Sequence, residues 1–380
     1  MQTRRLGKTG LQVSEIGFGA EWLERHPEEE GVELIHYAAD AGINILDCWM
    51  PDPKSRDIIG LGIRDDRAHW YIQGHLGSTW KNGQYYRTRD LIYVRPAFED
   101  LLTRLQTDYI DLGMIHYVDD VDEFRGIMEG PFIEYVRHLH AAGTIEHVGL
   151  STHNPDVAAL AASCGEVEMI MFSVNPAFDT LPASNDIEVL FGDYDNDYEG
   201  MNPARAELYA LCEREDVGLT VMKGFAGGRL FDAARSPFGV ALTPVQCIHY
   251  ALTRPAVCSI LCGYDTKEQV DAAVAYETAS AEEKDYASVL ANAPFHSYRG
   301  QCTYCGHCKP CAAELDIAMI NKFYDLATMQ PEVPATIQSH YELLGHTASE
   351  CIGCHACEAR CPFGVPIARR MEQAAALFGR

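Results

Sequence analysis

The run of about 18 or more apolar residues that a membrane-spanning helix needs is absent from the chain. Basic residues are also scarce: 30 Lys and Arg stand against 55 Asp and Glu, a net charge of −25. Such a surface repels phosphate backbones and excludes nucleic acid as an expected partner. It suits solubility, and it permits docking to a basic redox protein. The first residues are basic, but no apolar run follows before Glu15. A secretory signal needs that run, so a cytoplasmic location is expected.

What is abundant is cysteine, with 14 in 380 residues. In a reducing compartment these are more often metal ligands or catalytic groups than disulfides. Cys48, Cys164, Cys212, Cys247, Cys258 and Cys262 are scattered and read as core residues, since a free thiol packs as a small apolar group. Cys258 and Cys262 lack the third cysteine of a radical-SAM triplet.

The other eight form two tight groups. Cys351, Cys354, Cys357 and Cys361, followed by Pro362, make a full C-x2-C-x2-C-x3-C-P run. That is the bacterial ferredoxin pattern, whose fourth cysteine ligates the other cluster. The earlier group is Cys302, Cys305, Cys308 and Cys311, with a shorter last gap and Ala312 in place of the proline. Two [4Fe–4S] clusters are therefore expected. One would be held by Cys302, Cys305, Cys308 and Cys361, the other by Cys351, Cys354, Cys357 and Cys311. Structural zinc is the competing use of C-x2-C pairs, but zinc ligands usually come as separated pairs, not triple runs. A long connector from Ala312 to Glu350, with a helical stretch near Asp316–Ala327, separates the groups.

Ahead of them, short apolar runs alternate with helical patterns, which argues for βαβ units around a parallel sheet. Strands are predicted at Glu15–Gly19, Ile43–Cys48, His69–Gly74, Ile110–Ile115, Glu146–Leu150, Met169–Val174, Gly218–Met222 and Cys258–Leu261. Helices are predicted at Glu29–Ala41, Leu91–Gln106, Pro131–Ala142 and Ala204–Glu215, and a hairpin turning at Lys8–Gly10 precedes them. The expected architecture is an α/β chain: a (β/α)8 TIM barrel over residues 1–290, then a small α-rich, ferredoxin-like two-cluster domain over 291–380. Chemistry in such barrels sits at the C-terminal strand ends. Asp47, His75, His116, Ser151, His153, Asn154, Asn175 and Lys223 fall there.

The segments RRLGKTGLQVSEIGFGA, GINILD, LQTDYIDLGMIH, GTIEHVGLSTHNP, VMKGFAGG and LCGYDTKEQV together resemble the aldo/keto reductase family across the whole first domain. The eight clustered cysteines resemble the branch that carries a ferredoxin-type extension. The resemblance implies hydride transfer between NADP(H) and a carbonyl, with a Tyr supplying the proton, assisted by Lys, His and Asp. Asp47 and His116 match the family's Asp and His. Asp52 stands where the tyrosine is expected and His75 where the lysine is expected. The catalytic candidates are thus Asp47, His75, His116 and Asp52, with His75 or His116 the better acid–base groups near neutrality. Tyr85 or Tyr86, in the loop after the third strand, could supply a substitute acid, although such aromatics more often cover a pocket. For the cofactor, the resemblance points to Gly227, Gly228 and Arg229 over the pyrophosphate, and to Gly263, Lys267 and Gln269 at the adenosine end. Ser151, Thr152, Asn175 and Lys223 fall at the nicotinamide end, where Thr152, Met171 and Lys223 replace the family's usual Asn, Gln and Tyr.

The expected function is an iron–sulfur oxidoreductase acting on a small carbonyl or alcohol. Its clusters would carry electrons to or from a redox partner, or serve structure or regulation. The alternatives are a metal-dependent lyase, hydrolase or isomerase built on Asp47, His75, His116 and His153, and a non-catalytic electron-transfer protein. Substrate loops are expected at Ser78–Arg89 and Asp179–Gly200, the latter containing the acidic stretch Asp186–Glu199. Lys81, Arg87, Arg89 and Arg95 are candidate anion-binding groups or surface charges.

Overall fold

A computed structural model describes residues 1–191, 200–294, 298–329 and 332–380. The strands are β1 (Thr3–Arg5), β2 (Gln12–Ser14), β3 (Ile16–Gly19), β4 (Ile45–Cys48), β5 (Tyr71–Leu76), β6 (Ser78–Lys81), β7 (Gln84–Arg87), β8 (Ile110–Ile115), β9 (Ile145–Thr152), β10 (Met169–Ser173), β11 (Gly218–Met222) and β12 (Val257–Gly263). Eight of them close a parallel barrel in the order β10-β11-β12-β3-β4-β5-β8-β9. The predicted strands coincide with these eight, apart from a residue or two at the ends.

Residues alternate between the two faces of a strand. In the barrel this turns Ile45, Leu112, Met114, Met169 and Met171 toward the axis. The hairpin β1–β2 contributes Leu6 and Val13 to the same cluster and so plugs the N-terminal mouth. The outward-facing set packs under the helices.

Those helices are α1 (Glu28–Asp40), α2 (Pro53–Ile63), α3 (Leu91–Leu105), α4 (Val121–Glu129), α5 (Pro131–Ala141), α6 (Pro155–Ser163), α7 (Glu188–Phe191), α8 (Pro203–Arg214), α9 (Pro244–Leu252), α10 (Lys267–Val274) and α11 (Tyr286–Ala291). Their starts are written locally. Asp52, Asn154, Asn202 and Thr243 each accept a backbone N–H as N-cap, and each is followed by a proline at the first helical position. A capping oxygen satisfies an orphan donor, and proline costs nothing where no N–H is needed.

The C-terminal region is helical: α12 (Ile317–Thr328), α13 (Ala335–Glu342), α14 (Ala356–Arg360) and α15 (Ile367–Phe378). Tyr341 stacks on Phe378 with centroids 4.0 Å apart. The region lies on the α8–α9 flank of the barrel. Tyr298 donates to the Pro176 carbonyl at 2.6 Å, and Lys322 pairs with Glu213 at 3.1 Å. Both regions share one hydrophobic cluster. Among the described residues no helix is long and apolar enough to cross a membrane.

The expected substrate loop Ser78–Arg89 is built mostly as the antiparallel hairpin β6–β7, turning at Asn82–Gly83 with both residues at positive φ. An Asn-Gly turn between alternating residues is a hairpin signal. Of the acidic stretch, Glu188–Phe191 is helical and residues 192–199 lie outside the described residues.

Candidate functional site

Alternation along β4 and β5 sends Asp47, Gln73 and His75 inward, and His116 follows β8 directly. The four form part of a continuous buried network. His75 Nε2 lies 2.9 Å from Asp47 Oδ1, and His75 Nδ1 lies 2.8 Å from His116 Nδ1. The outer nitrogen of His116, Nε2, lies 2.8 Å from the hydroxyl of Tyr85. Gln73 donates to the same Asp47 oxygen at 2.9 Å and accepts from Thr220 at 2.8 Å across the barrel. Trp49 stacks parallel to His116 and meets Tyr85 edge-on. Tyr85 comes from β7, so the hairpin delivers a phenol to the rim.

Electrostatics give the row a direction. Burial first, then the proximity of His75, Arg89, Arg87 and His153, holds His116 well below the usual imidazole range, so the ring is neutral. Burial raises Tyr85 to about 12, opposed by Arg87 and Arg89. An ionised carboxylate only accepts. With Asp47 in that form, His75 donates from Nε2, His116 donates from Nδ1 to His75, and Tyr85 donates to His116 Nε2. Asp52 stands apart: its carboxylate accepts from Ser55 N–H at 3.0 Å and caps α2.

His153 is held elsewhere. Asp119 accepts from its ring Nδ1 at 2.9 Å, from its backbone N–H at 2.7 Å and from Thr152 at 2.9 Å. Arg87 and Arg89 both pair with Glu123, Lys81 lies over the Tyr86 and Tyr93 rings, and Arg95 lies over Tyr135. These four cations are therefore engaged within the chain. Among the described residues no three His, Cys, Asp or Glu side chains are arranged to hold a single metal ion. On the rim the physical reason is plain, because the lone pairs and N–H groups of the row face each other.

All fourteen cysteines are free. Eight of them line two cavities in the C-terminal region. One is bounded by Cys302, Cys305, Cys308 and Cys361. The other is bounded by Cys311, Cys351, Cys354 and Cys357. Each cavity thus draws three thiols from one motif and one from the other. Four soft thiolate donors around a cavity fit an iron–sulfur cubane, which spreads its ligands over several metal atoms.

The family model for the aldo/keto reductase family matches residues 15–241. The chain belongs to the aldo/keto reductase family. A Bacillus subtilis protein, uncharacterized oxidoreductase YqkF, is 29% identical over 189 residues, 48% of this chain and 58% of that protein. The 6-dehydroglucose reductase of Novosphingobium aromaticivorans is 31% identical over 186 residues, 43% of this chain and 56% of that protein. The chain thus spans little more than half the length of these curated relatives. Aldo-keto reductase AKR11C1 from Bacillus halodurans, in its holo form, has the same fold, with a TM-score of 0.59 and 22% identity over 75% of this chain and 94% of that one. The family match ends before the cysteine motifs.

An aldo/keto reductase is expected to hold NADP(H), and the positions assigned to it are largely engaged. Thr152 is bonded to Asp119. Asn175 donates to the Lys223 carbonyl and accepts from the Ala177 and Phe178 N–H groups. Ser151 Oγ accepts from Tyr117 N–H at 2.7 Å. Met171 accepts a contact from Gln73. At the outer end, Gly227 and Gly228 sit at positive φ, with open space where a Gly228 side chain would be. Gly263 faces the Trp22 ring, Lys267 pairs with Glu33, and Gln269 accepts from Asp265 N–H. Open space surrounds Gly228 at the outer loop, while at the inner end Thr152, Ser151 and Asn175 each bond within the chain. The family's usual Asn, Gln and Tyr are absent from that end, and no step of the proposed chemistry passes through a nicotinamide.

Two members of the site were not singled out in the sequence. Gln73 and Trp49 read as an ordinary strand residue and an ordinary loop aromatic. Strand parity could have placed Gln73 inward beside Asp47.

Proposed function

We propose that the chain is an iron–sulfur oxidoreductase of the aldo/keto reductase type, interconverting a carbonyl and an alcohol in a small organic substrate at the C-terminal rim. The observation that carries this reading is the row Tyr85–His116–His75–Asp47. Carbonyl reduction consumes two electrons and two protons, and alcohol oxidation releases the same: the row handles the proton on oxygen, and an external two-electron donor or acceptor supplies or takes the electron pair together with the hydrogen at carbon. Tyr85 is the group that exchanges a proton with the substrate oxygen. At neutral pH it is a phenol, as any tyrosine is, and burial makes it hold its proton more tightly still until an alkoxide-like oxygen develops. A proton taken up at Tyr85 passes through neutral His116 to His75, where the Asp47 carboxylate stabilises the resulting positive charge. Starting with that charge on His75, the same row refills Tyr85 after it has protonated an alkoxide. Trp49 fixes the His116 ring plane and shields it from water.

Residues 291–380 form the cluster-bearing unit in this reading. Cys302, Cys305, Cys308 and Cys361 hold one cluster, and Cys311, Cys351, Cys354 and Cys357 hold the other. When bound, such clusters supply single-electron exchange with a redox partner. A second reading, in which they serve structure or regulation, is favoured by their location: neither cysteine cavity is lined by any member of the rim row.

The deciding experiment incubates anaerobic holoprotein with a panel of aldehydes and ketones. Electrons come from NADPH, NADH or a reduced viologen, and the alcohol formed is measured. Turnover that Tyr85→Phe abolishes supports the assignment. Turnover that survives removal of iron assigns the clusters to structure or regulation. No turnover in either direction with any donor would sink the oxidoreductase reading.

A further inference from the structure

Three arginines lie almost fully buried: Arg56, Arg205 and Arg254. Two of them face carboxylates, Arg56 at 3.0 Å from Asp100 and Arg205 at 3.5 Å from Asp179. Arg254 is 2% exposed, and among the described residues no carboxylate forms an ion pair with it. Its Nη2 donates to Thr253 and Tyr286 hydroxyls at 3.1 and 3.3 Å and to the Thr303 carbonyl. Its Nε and Nη1 are buried without a hydrogen-bond partner. The rings of Tyr250 and Tyr304, 4.5 and 5.6 Å from the guanidinium, supply some cation–π stabilisation. Asp179 also acts on it through space, but that carboxylate is already engaged by Arg205 and by the Tyr209 and Tyr250 hydroxyls, and a desolvated cation without an anion of its own is unfavourable.

The missing anion is indicated by where Arg254 points. Thr303 lies between Cys302 and Cys305, and its carbonyl also accepts from Tyr286 at 2.7 Å. Arg254 borders one cleft together with Cys302 and another together with Cys305. Both thiols belong to the first four-cysteine cavity. A cubane with four thiolates is net anionic and gains one more negative charge on reduction. Arg370, also near this cavity, is already paired with Asp325. Arg360 is only half-buried, and the carbonyls of Cys308 and Pro310 accept from it.

We infer that Arg254 is the buried counter-ion of the cluster held by Cys302, Cys305, Cys308 and Cys361, and that it raises that cluster's reduction potential. The inference rests on the cluster reading above. Arg254 is a positioning residue: it orients the Cys302–Cys305 loop through the Thr303 carbonyl. Its fixed positive charge, in a low-dielectric setting, stabilises the more negative reduced state. It also ties the end of α9 to cluster occupancy, since without the cluster the charge has only the shared, distant help of Asp179.

The test is a potentiometric titration of anaerobic holoprotein followed by electron paramagnetic resonance, with iron and sulfide counted on every sample. In Arg254→Gln, the midpoint of one cluster should fall while the other stays in place. Arg254→Lys, which keeps the charge, should remain near the wild-type value. Equal shifts in both variants would show that packing matters and not charge, and would overturn the inference. So would an unchanged midpoint in Arg254→Gln with both clusters loaded. Absence of iron from the wild-type chain would instead remove the cluster reading itself. A further measurement needs no variant: amide exchange at Leu252–Arg254 should quicken when a chelator strips the clusters from the wild-type chain. Unchanged protection there would count against the counter-ion role.

Discussion

The hydroxyl of Tyr85 lies 2.8 Å from Nε2 of His116, across a separation of 31 residues. A phenol borne on a hairpin thereby completes a row whose other end, Asp47, sits on a different strand. In the proposed function the row takes the place of a tyrosine expected near position 52 and a lysine expected at position 75.

Tyr85→Phe removes one oxygen and keeps the ring beside Trp49. Turnover should fall by about 10²–10⁴-fold, the usual contribution of a positioned acid–base group, with the melting temperature nearly unchanged. His116→Ala should cost a similar factor. Steady-state kinetics on a substrate found by the carbonyl panel would check both. Full activity in Tyr85→Phe would move the proton donor elsewhere.

The two cysteine cavities make a pairing prediction. Cys361→Ser and Cys302→Ser should perturb the same cluster signal, although they lie in different motifs. Cys311→Ser and Cys354→Ser should both perturb the other. Electron paramagnetic resonance of the reduced variants reads this directly, and a pattern sorted by motif would contradict the cross-pairing.

Stability should fall on mild acidification. Burial first, then Lys284, Arg254, Arg4 and His307, pulls His249 down to about 4, and burial likewise lowers His116. Both rings are neutral in the fold, whereas the unfolded chain binds their protons below about 6.5. The unfolded state therefore holds more protons between about 6.5 and 4. The stabilisation is complete above that window and is lost as pH falls through it. His249 alone accounts for up to about 3 kcal/mol. Urea unfolding at several pH values should show the slope, and His249→Phe should flatten it.

Asp179 is fully buried against Arg205, and it accepts from Tyr209 at 2.6 Å and Tyr250 at 2.8 Å. Burial raises its carboxyl and Arg205 pulls it back. Asp179→Ala strands the guanidinium and should destabilise by about 3–5 kcal/mol. Adding Arg205→Met should recover part of that loss. If the double variant is no more stable than the single one, the ion pair is not the source of the effect.

Calorimetric titration of anaerobic holoprotein with NADPH or NADH should show no micromolar binding, because Thr152 and Asn175 are engaged internally. Tight binding would require that loop to rearrange, which amide exchange around Asp119 would reveal.

Much of this was legible in the sequence. Strand parity and apolar runs mark the eight barrel strands. Cap–proline pairs such as Asp52–Pro53 and Asn154–Pro155 mark helix starts, because both effects act within one turn. Asp47, His75 and His116 were visible at strand ends, and the eight cysteines were visible by spacing. Less legible were the roles of polar residues whose partners lie far along the chain. Arg87 and Arg89 looked available for an anion, yet Glu123 takes both. Thr152 looked like a cofactor contact, yet it serves Asp119.

The chain's order of elements, its turns and its candidate ligands follow from local chemistry: alternation, capping and the short reach of a cysteine motif. Tertiary structure alone decided that Tyr85 meets His116, that Gln73 bridges Asp47 to Thr220, and that Arg254 is buried beside Thr303 with no ion pair among the described residues. Those outcomes depend on barrel closure and on how the helical region seats against α8 and α9. Both bring together groups from distant parts of the chain, which no local pattern encodes.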